Sequence, residues 1–264
     1  MKKLTIITGA SSGLGAEFAR QIAASLPEND RHELWLIARN QQKLAAVAAE
    51  LAGTNAPVRT FALDLGSPDG VHKIRVLLEA EQNAGAIVID MLVNNAGFGT
   101  YGPFAETDID REMQMIELNC TTLTGICGIA LPYLRRGSTV INVASLAAFL
   151  PLGNFAVYAA TKAFVLSFSV ALAAELKDAG ITVSALCPGS VRTNFANVAS
   201  NGTRAEVLHG KDPAKTVRHC LAKSRKGKKI ILWAQSWKCT AFLSRFVGRY
   251  AGARFTYLFR KRPH

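Results

Sequence analysis

Apolar residues along this chain come in two spacings. Short runs rich in aliphatic and β-branched residues lie at 4–8 (LTIIT), 34–38 (LWLIA), 58–65 (VRTFALDL), 87–93, 139–145 (TVINVAS) and 228–233 (KKIILW). Between them, apolar positions recur every three or four residues at 16–26, 41–52, 107–135, 156–176 and 213–223. The first pattern predicts buried strands and the second predicts helices packed on them. Ser67-Pro68-Asp69 marks one more helix start. Strands alternating with helices predict an α/β architecture.

The 264 residues contain no Pro/Ser-rich linker, no low-complexity block and no internal repeat. One domain over residues 1–264 is therefore expected. No charge occurs from 137 to 161, but Asn142, Pro151, Gly153 and Asn154 interrupt that stretch, which fits a buried strand, a loop and a helix better than a membrane span. The apolar run after Lys2 and Lys3 is too short for a signal-peptide core.

The ends of the predicted strands carry the candidate chemistry. After residue 8 comes Gly9-Ala10-Ser11-Ser12-Gly13-Leu14-Gly15, and then a helix. In that frame Gly9 permits a sharp turn, Gly13 lets backbone N–H groups approach a pyrophosphate, and Gly15 permits close packing of helix on strand. The second strand ends in Ala38-Arg39, where an acidic residue would accept from a free ribose 2′-hydroxyl. Arginine there favours NADP over NAD, or stacks on the adenine. Ser11, Ser12 and Lys43 are further candidates for the phosphate. Asp64 either accepts from the adenine amino group or begins a turn, and Asn94-Asn95-Ala96-Gly97 forms either a crevice wall or an ordinary turn. Asn119 stands among apolar residues, so its amide bonds backbone at a kink, holds a water, or does both.

The pair Tyr158 and Lys162, four apart in a helical stretch, lie on one helix face. A fixed ammonium favours the phenolate form of a neighbouring tyrosine and so suits it to proton transfer near neutral pH. Ser145, at the end of a strand, can hydrogen-bond a substrate oxygen. A buried ring beside a surface lysine is the commoner meaning of that spacing, and its neighbourhood decides.

Together, Thr8 to Gly15, Asp64, Asn94 to Gly97, Asn119, Ser145, Tyr158-x-x-x-Lys162 and Pro188-Gly189-Ser190-Val191-Arg192-Thr193 resemble a classical short-chain dehydrogenase/reductase in order and spacing. The resemblance covers residues 4 to about 195. It implies a doubly wound Rossmann-type fold with a mostly parallel seven-stranded sheet, and hydride transfer between a nicotinamide and a carbonyl or alcohol carbon. It implies that Tyr158 is the general acid, that Ser145 polarises the substrate oxygen, that Lys162 holds the nicotinamide ribose and stabilises the tyrosinate, and that Asn119 anchors a water in the proton relay. It adds Leu65, Asn95, Ala96, Gly97, Pro188, Gly189, Val191 and Thr193 to the cofactor-binding set. It also implies a homodimer or homotetramer, paired through the helices bearing Asn119 and Tyr158.

Phe98, Leu146, Phe149, Leu150, Leu152, Phe155 and Phe195 surround the candidate catalytic residues in sequence. If they face a pocket, the substrate is apolar or amphipathic; otherwise they are core. Residues 194–210 read as a variable substrate loop able to act as a lid.

Charge alters the picture only at the end of the chain. The net charge is +12, and 16 of the 31 Lys and Arg residues lie from 204 onward, against Glu206 and Asp212. Read as one helix, the tail 237–264 gathers Lys238, Arg245, Arg249 and Arg260 into one sector beside apolar residues. That predicts a basic amphipathic surface resting on anionic membrane or lidding the site, with an oligomer contact or a solvated helix as alternatives. No nucleic-acid module accompanies the charge. Five scattered cysteines without CxxC spacing suit free thiols in a reducing cytosol, and no His/Cys cluster suggests a metal. A cytoplasmic NADP(H)-dependent oxidoreductase, membrane-associated through its tail, is the function expected. An NADP-binding sensor or scaffold acting through the tail is the alternative.

Overall fold

The computed structural model describes residues 1–27, 31–55, 57–203 and 210–260. Its strands are β1 (Lys2–Thr8), β2 (His32–Ala38), β3 (Val58–Ala62), β4 (Ile87–Asn94), β5 (Thr139–Val143), β6 (Thr182–Leu186) and β7 (Ile230–Ile231). All pair in parallel, in the order β3-β2-β1-β4-β5-β6-β7. Side chains alternate across each strand, so both faces must be covered. Leu4, Ile6, Trp35 and Ile37 enter one buried cluster, with Ile74 and Leu78 of α3 (Gly70–Ala84), Ile126 of α5 (Leu123–Ala130) and Val165 of α6 (Ala156–Glu175). Ile7, Leu34 and Leu36 enter the opposite cluster, with Phe18 of α1 (Gly13–Ala23), Leu44 of α2 (Gln41–Glu50) and Val217 of α8 (Pro213–Ser224). This is the doubly wound sheet that the resemblance implies, and it is wholly parallel.

The chain winds outward from β1 to β3, then crosses back to place β4 on the other side of β1. A crevice opens at the carboxyl ends where the winding reverses, which is where such sheets bind ligands. The segments after β1, β4, β5 and β6 all meet there.

Several boundaries differ from the hydrophobic pattern. The third strand stops at Ala62, short of Asp64, and the last strand is only Ile230–Ile231 rather than 228–233. β6 completes the sheet from a run that the pattern did not single out. The helix expected over 107–135 is divided into α4 (Ile109–Ile116), a π-helical turn (Glu117–Thr122), α5 and a 3-10 turn (Leu131–Tyr133). By length and composition Ile109–Tyr133 and Ala156–Glu175 would suffice to cross a membrane, but α5 packs on β4 and α6 on β6.

The tail is not one helix. It forms α9 (Gln235–Leu243), a 3-10 turn (Ser244–Phe246) and α10 (Arg249–Phe259), with Val247 extended between them and Gly248 at the N-cap of α10. Glycine is a poor helix former and turns the chain here, so the continuous basic sector does not exist. Lys238 and Arg245 lie before the break, Arg249 and Arg260 after it; Lys261 and Arg262 fall outside the described residues. Within the substrate loop a short helix, α7 (Phe195–Ala199), is followed by residues 204–209, also outside the described residues. Lys211 rejoins the scaffold in a parallel bridge with Val191.

Candidate active site

At the crevice lies a cavity of about 710 Å³. One end is walled by the turn after β1 and by Arg39, Asn40, Lys43, Asp64 and Leu65; the other by Leu146, Phe149, Leu150, Leu152, Phe155, Phe195 and α10.

The turn after β1 is held open by backbone geometry. Gly9 and Gly13 take φ values of +64° and +56°, where a side chain would be strained. A Cβ on Gly15 would lie 2.1 Å from the carbonyl oxygen of Gly9, so glycine there is a packing requirement. Asn95 braces the same turn: its Nδ2 donates to the carbonyls of Thr8 (3.0 Å) and Gly9 (3.2 Å), and its backbone N–H donates to Thr8 Oγ1 (3.0 Å). The amides after β4 thus fasten two neighbouring strands together and form the crevice wall. Asp64 both begins a turn, its Oδ1 accepting from Gly66 N at 3.1 Å, and lines the cavity.

Whether these residues suit a dinucleotide can be judged from the helix ends. Asn40 caps α2 with its side chain, accepting from Lys43 N at 2.8 Å. Ser12, at the N-terminus of α1, makes no such bond, and no acidic residue occupies the first turn. The free N–H groups and partial positive charge of α1 therefore meet the cavity, as an anionic pyrophosphate requires. Arg39 and Lys43 supply cations at the same end, and the site fits a nicotinamide dinucleotide.

At the other end, α6 carries Tyr158, 7% exposed, and Lys162, 5% exposed, on its cavity face. The Tyr158 ring stacks on Phe155 with centroids 4.1 Å apart and tilts against Phe195 at 5.4 Å. Room for both Phe155 and Tyr158 comes from Gly99, where a Cβ would sit 2.9 Å from either ring. Lys162 Nζ lies 5.7 Å from the Tyr158 ring centroid and donates to Val143 O at 2.9 Å. Burial strips this ammonium of water and pulls its pKa down to about 8, opposed by the Cys120 and Cys187 thiols. Burial in turn pushes those thiols up, Cys120 to about 11 and Cys187 to about 12. Ser145, directly after the β5 end, caps the 3-10 turn Leu146–Phe149 by accepting from Ala147 N at 3.1 Å, and donates to Pro188 O at 3.4 Å.

Asn119 lies behind the cavity wall rather than on it. It stands in the π-helical turn, 1% exposed, and does not line the cavity. Its Nδ2 donates to Phe98 O (3.0 Å) and Thr161 Oγ1 (3.1 Å), and its Oδ1 accepts from Phe98 N (3.2 Å). The amide binds backbone at a kink, one of the two roles its surroundings allowed, and both of its amide hydrogens are used. A Cβ on Gly97 would lie 2.7 Å from that Oδ1, which explains the glycine.

Every other residue expected to bind cofactor lines the cavity, except Gly15. So do all seven apolar candidates, including Phe98. No motif marks Asn40, Tyr101, Val198, Thr240, Ser244, Thr256 or Arg260, which line it as well. The last four come from the tail. Thr256 Oγ1 accepts from Gly153 N at 2.8 Å, Asn154 Nδ2 donates to Tyr257 O at 3.0 Å, and Trp237 packs on Gly189. Through these contacts the tail forms part of the cavity wall. The five cysteines are unbridged, four of them buried.

Residues 3–203 match the family model described as short chain dehydrogenase. A probable oxidoreductase, EphD, of Mycobacterium tuberculosis is 31% identical over 76% of this chain, but the match spans only 33% of that protein. The very-long-chain 3-oxoacyl-CoA reductase of Neurospora crassa is 33% identical over 83% of this chain and 63% of its own length. Sulfoacetaldehyde reductase of Chromohalobacter salexigens is 34% identical over 78% and 79%. Among solved structures, a short-chain dehydrogenase from Sphingobium yanoikuyae in complex with NADPH superposes with TM-score 0.78 at 27% identity, covering 93% of this chain and 94% of that one. One from Burkholderia phymatum in complex with NAD has TM-score 0.79 at 22% identity, covering 100% and 96%, and supports the fold alone.

Proposed function

We propose that this chain, which belongs to the short chain dehydrogenase family, is an oxidoreductase that uses NADP(H) to interconvert a carbonyl and an alcohol on an apolar or amphipathic small molecule. The observation that carries this reading is the convergence of Ser145, Tyr158 and Lys162 on one wall of a cavity whose far end is a free helix N-terminus beside Arg39 and Lys43.

The bound nicotinamide supplies the hydride. The chain supplies the geometry and the proton. As negative charge grows on the carbonyl oxygen, O–H donors aimed at it stabilise the transition state more than the ground state. Tyr158 gives that oxygen its proton, and Ser145, held by its bonds to Ala147 N and Pro188 O, orients it. Lys162 keeps a positive charge beside the phenol and, by resemblance, holds the nicotinamide ribose. Asn119 acts as a positioning residue, because its bonds fix Phe98 and Thr161, which adjoin the cavity and the catalytic helix. Gly9, Ser11, Ser12, Gly13 and Leu14 receive the pyrophosphate, and Asp64 and Leu65 receive the adenine. Asn95, Ala96 and Gly97 flank the ribose, while Pro188, Gly189, Val191 and Thr193 receive the carboxamide. Arg39 and Lys43 favour the phosphate of NADP over the bare ribose of NAD.

A homodimer or homotetramer, residence in the cytoplasm and peripheral contact with anionic membrane through the tail complete the reading. NADPH oxidation measured over a panel of aldehydes and ketones tests it. Turnover that rises with the apolar bulk of the carbonyl is expected; cofactor binding with no turnover on any member would support a sensor or scaffold instead.

A further inference from the structure

The two tail helices have their amphipathic character reversed. Toward the body of the protein they present mostly small residues, Ala241 and Ser244 on the α9 side and Gly252 and Thr256 on α10; Trp237 is the exception. Toward solvent they present Phe242, Leu243, Phe246, Tyr250, Phe255 and Phe259, with Phe246 73%, Tyr250 82% and Phe259 70% exposed. Nine of the nineteen exposed large apolar residues among those described fall between 242 and 259, so the exposure is concentrated in this short segment, where Phe242 packs on Phe246 and Phe255 on Phe259. Apolar exposure so concentrated marks an interaction surface.

Charge identifies the partner. Lys238, Arg245, Arg249, Arg254 and Arg260 stand among these side chains, and no acidic residue follows Asp212 anywhere in the chain. A second copy would bring like charge against like charge. A surface that is anionic at its boundary and apolar just beneath it suits both components.

The same segment reaches the cavity, through Thr240 of α9, Ser244 of the 3-10 turn, Thr256 of α10 and Arg260 just after it. We infer that the outer face of α9 and α10 docks on an anionic bilayer, and that the cavity's apolar end takes its substrate, a membrane-resident carbonyl lipid, at that face. The substrate half of this inference rests on the reductase reading; the docking half does not.

Co-sedimentation of the full chain with phosphatidylcholine vesicles, with and without phosphatidylserine, tests the docking. Binding that requires phosphatidylserine and weakens with salt is expected. The double variant Phe246→Glu/Phe259→Glu, which alters exposed side chains outside the cavity, should lower it at least about tenfold. No sedimentation with phosphatidylserine vesicles, equal sedimentation of the variant, or a concentration-dependent dimer that the variant splits would overturn it. With a long-chain ketone embedded in the vesicles, the variant should turn over at least about tenfold more slowly, while a short water-soluble ketone is reduced at the wild-type rate. Equal loss on both ketones, or on neither, would overturn delivery from the bilayer. If the wild type reduces neither ketone, the reductase reading and the delivery fail together, and sedimentation still decides the docking surface.

Discussion

Lys162 holds its ammonium 5.7 Å from the centre of the Tyr158 ring while donating to the carbonyl of Val143, so the charge beside the phenol is fixed to the end of a strand. A surface lysine would be free to swing away. This one is 5% exposed and has no such freedom.

That placement sets a pH dependence. With its pKa near 8, Lys162 is charged below that pH and neutral above it. Reduction needs the cation, so kcat/KM for a carbonyl should be steady below about pH 8 and fall as pH rises through it. A pH–rate profile in the reductive direction checks this, and a profile flat from pH 7 to about 9.5 would contradict it.

Stability moves the other way. The folded pKa lies below the ordinary value of 10.5, so between about 8 and 10.5 the unfolded chain binds a proton that the folded chain does not. Stability contributed by this residue therefore rises with pH across that window, and its cost is fully present below it. Lys162→Met should stabilise the protein by on the order of 1–3 kcal/mol at neutral pH while abolishing turnover. Denaturant melts of both forms at pH 7 and pH 10 would show the difference narrowing at the higher value.

Arg39 lines the cavity and shares no ion pair among the described residues. Arg39→Ala should raise the KM for NADPH by roughly 10- to 100-fold, the loss of a charge-assisted contact, and leave that for NADH nearly unchanged. Steady-state kinetics with both cofactors measures the split.

Gly15→Ala places a methyl 2.1 Å from the Gly9 carbonyl oxygen, with backbone on both sides. A loss of ~3 kcal/mol or more of stability is expected from the overpacking, together with loss of dinucleotide binding. Thermal melts with and without NADPH would report both effects.

What could be read from the chain, and what could not, follows from where each constraint acts. Gly9, Gly13, Tyr158 and Lys162 satisfy local requirements, a positive φ or a spacing on one helix face, and such requirements restrict residue type at fixed positions. Asn119 was visible as a buried amide, but its partners Phe98 and Thr161 lie 21 and 42 residues away, so its role stayed open until the fold supplied them. The tail was least legible. Thr256 reaches Gly153 across 103 residues through one hydroxyl, and neither residue type announces the contact. A wheel drawn through Gly248 assumed one helix where the backbone makes two, because local apolar spacing does not register a single extended residue.

Tyr158→Phe is the most direct test of the catalytic claim. Phenylalanine keeps the stack on Phe155 and removes only the hydroxyl, so melting temperature and NADPH affinity should stay near wild type. Steady-state reduction of a carbonyl substrate should then fall by about 10²- to 10⁴-fold in kcat. A variant that binds NADPH normally and still reduces the carbonyl at the wild-type rate would contradict the account.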